Sequence, residues 1–222
     1  MTVDISLYGI VDPQIARGRS LADMAREAVE GGATLIQLRA KNETTREMVR
    51  EARAIRSALH GTLVPLLIND RVDVALASGA DGVHLGADDM KLGDARRLLG
   101  PRAIIGATLN NLEDLPELAA AKIDYACAGA VFSTQHKDDA KAPLGIEGYS
   151  ALRHAAAQAL GDLPVGAIAG IDAGNAGSVI AAGADGVAVI GALFATEDIT
   201  AAARALRAAI DAALTRRLAA PV

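Results

Sequence analysis

At 222 residues the chain is long enough for one large domain with a sizeable core. Twenty-two Lys and Arg stand against 27 Asp and Glu, and the basic residues are scattered, which argues against general nucleic-acid binding. Half the residues are apolar, but two Phe, three Tyr and no Trp leave little for base stacking, so a soluble globular protein is expected.

Short runs rich in Val, Ile and Leu alternate with longer, Ala-rich segments of helical period. Strands are expected near 6–11, 34–39, 64–69, 82–85, 103–108, 125–132, 164–170 and 186–190. Helices are expected near 20–31, 44–59, 71–78, 90–99, 111–121, 147–160, 174–182 and 198–218. Eight strands, each followed by a helix, predict an α/β protein of (β/α)8 TIM-barrel form, a single domain over 1–222. An open doubly wound sheet is the competing arrangement, but it seldom runs to eight strict strand–helix units. No stretch approaches the length of a membrane span, and Met1-Thr2-Val3-Asp4 lacks the features of a signal peptide. The single cysteine, Cys127, excludes an internal disulfide and fits a reducing cytoplasm, where the protein is expected to reside.

The junctions repeat. Ala77-Ser78-Gly79-Ala80-Asp81-Gly82-Val83 closely matches Ala181-Ala182-Gly183-Ala184-Asp185-Gly186-Val187, with a looser copy at Glu30-Gly31-Gly32-Ala33-Thr34. Asp81 and Asp185 precede their strands and belong on the stability face of a barrel. Asp70 and Asp89 follow theirs, on the face where barrel active sites lie. Alternation along the second strand sends Ile36 and Leu38 toward the helices and turns Gln37 and Arg39 toward the barrel mouth, with Lys41 next in the loop.

Competing structural readings are specific. Asp70 and one of Asp88 and Asp89 could simply cap the helices that follow them. His84 could be a satisfied core residue. Two carboxylates without a Cys/His cluster favour Mg2+, whose preferred ligands are carboxylate, water and phosphate oxygens. Gly170 and Gly191, after the last two strands, suit backbone binding of phosphate, with tight turns as the alternative. The polar loop from Ser133 to Gly145 is long enough to cover a site.

The motifs together resemble the thiamine-phosphate synthase family over nearly the whole chain. Gln37-Leu38-Arg39-Ala40-Lys41 resembles that family's segment for the pyrimidine diphosphate substrate. Asn69-Asp70-Arg71 resembles its Asn-Asp-Arg segment, in which the Asn touches the same substrate and the Asp holds Mg2+. Gly79 through Gly86 reproduces the family's Gly-Ala-Asp-Gly-Val-His-Leu-Gly run, with His84 inside it and Asp89 at the second metal position. Thr108 replaces a substrate-contacting Ser. Lys137 takes the place of a loop lysine, and Thr134, Gly170, Ile190 and Gly191 correspond to contacts of the thiazole phosphate.

The departures cluster on the thiazole side. His136 stands where the family has Thr, Ala169 where it has Gly, and Gly191 where it commonly has Ser. The resemblance implies a Mg2+-dependent transferase that joins a pyrimidine diphosphate to a thiazole phosphate and releases pyrophosphate. Arg39, Lys41 and Lys137 would then act on the leaving group. It implies small-molecule substrates, no nucleic-acid or membrane partner, and a barrel of a kind that often self-associates. The alternatives are a thiazole tautomerase-like enzyme, whose relatives carry His where this chain has Ala130, and a non-catalytic thiamine-precursor binder.

Overall fold

A computed structural model describes residues 3–134 and 142–219. Eight strands, all paired in parallel, close into a barrel in sequence order. They are β1 (Leu7–Val11), β2 (Leu35–Leu38), β3 (Leu66–Asn69), β4 (Gly82–Leu85), β5 (Ile104–Leu109), β6 (Tyr125–Ala128), β7 (Val165–Ile168) and β8 (Val187–Val189). The helices are α1 (Leu21–Glu30), α2 (Thr45–Ala58), α3 (Val72–Ser78), α4 (Leu92–Leu99), α5 (Leu115–Ala120), α6 (Gly145–Leu160), α7 (Ala176–Ala181), α8 (Gly191–Phe194) and α9 (Ile199–Ala219). The expected barrel is therefore present. Strands six to eight end earlier than their apolar runs, because the last residues of those runs turn into the site loops.

Two features lie outside the expected pattern. One is a 3-10 turn at Pro13–Ile15, started by Asp12 through a hydrogen bond from the Gln14 amide. The other is α8, a single turn that opens at Gly191 directly after β8. A single helical turn is too short to leave a periodic signal in sequence.

The core has two layers. Ile36 and Leu38 pack outward with the helices, whereas Tyr8, Ile10, Leu35, Leu67, Tyr125, Cys127 and Ala188 fill the barrel. This is the alternation read along the second strand. Helix starts follow local chemistry: Thr44 and Glu47 form a reciprocal capping box on α2, and Ser20 caps α1. Gly79, at φ +75°, ends α3 in the left-handed conformation and lets the chain turn at once into β4.

The aspartates that precede strands are structural. Asp81 accepts the Leu66 amide at 2.8 Å, and Asp185 accepts the Val165 amide at 2.9 Å while pairing with Arg153 and Arg217. Asp124 does the same for Ile105 and pairs with Arg96, a third copy that the sequence repeat did not reveal. Each carboxylate satisfies an amide in the first two residues of the preceding odd-numbered strand, closing the end of the barrel away from the site.

Candidate active site

At the C-terminal ends of the strands a cavity of about 270 Å³ opens between the loops. Its wall gathers Gln37, Arg39, Lys41, Asn69, Asp70, His84, Asp89, Thr108 and Ile190, residues spread over more than 150 positions of sequence. A second hollow of about 360 Å³ adjoins it. Thr134, Gly170, Ile190 and Gly191 line that hollow, and Ile168, Ala169 and Ile190 belong to both walls. The expected site residues that lie among the described ones thus fall into two neighbouring groups. His136 and Lys137 lie outside the described residues. A larger hollow of about 530 Å³ occupies the opposite end of the barrel near Arg56, His60 and Asp81, remote from the carboxylate pair.

The capping readings fail for both site aspartates. The residue that opens α3 is Arg71 and the one that opens α4 is Lys91, and neither helix has a side-chain cap. Asp70 instead sits at φ +63°, a strained conformation for any residue but glycine, which Asn and Asp tolerate best. Its carboxylate lies 3.6 Å from the Lys41 ammonium. Burial, with the Asp89 carboxyl beside it, pushes the Asp70 carboxyl up to about 6, against the pull of Lys41. Asp89 is oriented by the Gly86 amide, which donates to it at 2.7 Å. Two adjacent carboxylates, one held reluctant to ionise by burial and by the other, form a centre that a cation would stabilise. The donor set is all oxygen. Among the described residues no group of three or more His, Cys, Asp and Glu side chains gathers to hold a metal.

Arg39 is almost buried and pairs with the buried carboxylate of Asp12, which comes from the loop after β1. Asp12 was missed in the sequence because Asp12-Pro13 reads as an ordinary turn. Its signal was positional: it follows β1 as Asp70 follows β3. His84 is both satisfied and part of the site. Its Nδ1 lies 3.0 Å from the Tyr125 hydroxyl, its Nε2 lies 3.1 Å from Thr108 Oγ1, and it lines the cavity.

On the other side, Gly170 adopts φ +66° with its Cα against Phe132, so a Cβ there would meet that side chain at 2.5 Å. At α8 the first amides have no acceptor within their own helix.

Comparison with known proteins identifies the family and the fold. The family model described as thiamine monophosphate synthase matches residues 7–193. The chain belongs to the thiamine monophosphate synthase family. A thiamine-phosphate synthase of Agrobacterium fabrum is 54% identical over 97% of this chain and 98% of its own length. One of Chloroflexus aurantiacus is 44% identical, with 94% of each chain covered. Among solved structures, thiamine phosphate pyrophosphorylase from Pyrococcus furiosus superposes with a TM-score of 0.83 at 37% identity, covering 96% of this chain and 98% of that one. Tryptophan synthase of M. tuberculosis, at 17% identity and a TM-score of 0.68, shares the fold alone. As members of this family are transferases acting on small molecules, so is this chain.

Proposed function

We propose that this chain is a Mg2+-dependent thiamine-phosphate synthase. It would join 4-amino-5-hydroxymethyl-2-methylpyrimidine diphosphate to 4-methyl-5-(2-phosphoethyl)thiazole, giving thiamine phosphate and pyrophosphate. The observation that carries this reading is the pair of adjoining hollows. One is lined by Arg39, Lys41, Asp70 and Asp89, the other by backbone-rich loops at Gly170 and Gly191, and they share Ile168, Ala169 and Ile190. An enzyme that couples two phosphorylated molecules needs two anion sites within bonding reach of each other.

Gln37, Asn69, His84 and Thr108 would hold the pyrimidine, and Arg39 and Lys41 would grip its diphosphate. Asp70 and Asp89 fit Mg2+, which, when bound, would neutralise charge on the diphosphate oxygens. As the C–O bond breaks, negative charge collects on the departing diphosphate and Arg39, Lys41 and Lys137 would stabilise it. The electron-rich aminopyrimidine carries the positive charge left behind. Thr134, His136, Gly170, Ile190 and Gly191 would hold the thiazole phosphate, so that the ring nitrogen attacks from the adjoining hollow. No protein nucleophile is required, in keeping with Cys127 being buried in the barrel wall. A cytoplasmic location is part of the same proposal; among the described residues, no helix is long and apolar enough to cross a membrane.

The test is product formation from the two purified substrates, read as thiamine phosphate, with Mg2+ and with EDTA. Product that needs Mg2+ supports the reading. Absence of product from folded protein that still binds the pyrimidine diphosphate overturns it, in favour of a binding role.

A further inference from the structure

A chain of polar side chains threads the barrel beneath the cavity. Gln37 Nε2 donates to the Tyr8 hydroxyl, the hydroxyls of Tyr8 and Tyr125 lie 2.9 Å apart, and Tyr125 reaches His84 Nδ1 at 3.0 Å. His84 Nε2 then meets Thr108 Oγ1 at 3.1 Å. Two of the three tyrosines of the protein are spent on this chain. Gly106 makes it continuous. It sits between His84 and Tyr125 in the strand register, and a Cβ there would meet the Tyr125 ring at 2.1 Å. With no side chain at 106, the phenol crosses β5 to the imidazole on β4.

Burial raises both phenols well above their ordinary range, so each keeps its one proton. With a single proton per phenol and a neutral imidazole, the chain has two fully paired arrangements. In the first, Gln37 gives an N–H to Tyr8, Tyr8 donates to Tyr125, Tyr125 donates to Nδ1, and Nε2–H donates to Thr108. That leaves the Gln37 carbonyl as an acceptor and the Thr108 hydroxyl hydrogen as a donor. In the second, the Gln37 amide is flipped and every bond reverses, so Gln37 offers N–H groups and Thr108 only an acceptor. With Nε2 toward Tyr8, the Tyr8 hydroxyl already accepts from Gln37, and within this chain of bonds its own hydrogen is paired only by going to the Tyr125 oxygen. Either hydroxyl can donate at their 2.9 Å separation, and this pairing selects the first arrangement.

We propose that Tyr8 and Tyr125 are positioning residues that lock Gln37 as an acceptor and Thr108 as a donor, and thereby select an aminopyrimidine over its oxo analogue; the ligand class rests on the synthase reading above. An aminopyrimidine presents a donating amino group beside an accepting ring nitrogen. The oxo analogue presents the opposite pair, an accepting carbonyl and a ring N–H. Accommodating it requires reversing the whole chain, since a single reversed member leaves a buried polar atom unpaired.

The experiment records imidazole 15N spectra of the protein and steady-state kinetics of the Tyr8→Phe and Tyr125→Phe variants. His84 is expected to carry its proton on Nε2 in the wild type. In Tyr125→Phe it should populate both tautomers, with the KM for the pyrimidine diphosphate raised about tenfold, the loss of about one hydrogen bond, and the KM for the thiazole phosphate unmoved. Tyr8→Phe should keep the Nε2–H tautomer yet lose preference for the amino substrate over an oxo analogue used as competitor. A wild-type proton on Nδ1, an imidazolium, or both variants retaining wild-type KM and preference would overturn the proposal. If Tyr125→Phe fails to fold, the wild-type spectrum and Tyr8→Phe still decide. Should the wild type make no thiamine phosphate, the synthase reading fails while the spectrum continues to report on the chain.

Discussion

Asp70 concentrates the conflict between stability and function at a single residue. Its backbone is held at φ +63° and its carboxyl is pushed up to about 6. The native pKa lies above the unfolded value of 3.8, so the folded state binds the proton more tightly than the unfolded one. Without metal, stability should therefore fall as pH rises from about 4 to about 6 and stay reduced above that. Asp70→Asn removes the charge while keeping a residue suited to the left-handed conformation. Metal-free thermal melts at pH 5 and pH 7.5 should show the wild type losing stability between them and the variant much less. Turnover in the variant should drop by on the order of a hundredfold or more. A variant that melts like the wild type at both pH values would refute this account of Asp70. The position of Asp70 was legible from its place after an apolar run. Its strain and its raised carboxyl were not, because both belong to the folded loop, where burial and the neighbouring Asp89 raise the carboxyl against the pull of Lys41.

At the scale of elements, the loop after β7 turns on two consecutive residues in the left-handed region. Ala169 stands at φ +83°, beside Gly170 at φ +66°. A Cβ in that region costs about 1–2 kcal/mol, and glycine would return about 0.4–1 kcal/mol of that as lost unfolded-state restriction. Ala169→Gly is thus expected to stabilise by about 0.5 kcal/mol, measurable by urea denaturation at unchanged slope. Destabilisation would mean that the Ala169 methyl, which lines both hollows, contributes packing greater than the strain. Strand and helix order was readable because alternation of period two and period 3.6 is a local property. The single-turn helix α8 and the turn at Pro13–Ile15 were not, since each spans only about one helical turn and cannot show a repeat.

Over the whole molecule, chemistry and stability separate to opposite ends of the barrel. Asp81, Asp124 and Asp185 close one end by taking strand amides, and Asp70 and Asp89 face the cavity at the other. Asp185→Ala removes a carboxylate shared by Arg153, Arg217 and the Val165 amide. It should cost about 2 kcal/mol, lowering the melting temperature by roughly 5 °C, with kcat and both KM values unchanged. Altered KM would show that the two ends are coupled. The sequence by itself determined the order of elements, the inward and outward faces of the strands, and which aspartates precede or follow them. These depend on neighbours along the chain, and parallel strands then bring all their C-terminal ends to one rim. Only the tertiary structure decided that Asp12 holds Arg39, that Asp124 joins the structural set, and that Gln37, Tyr8, Tyr125, His84 and Thr108 form one chain. Those pairings join residues up to 117 positions apart, and barrel closure alone sets them.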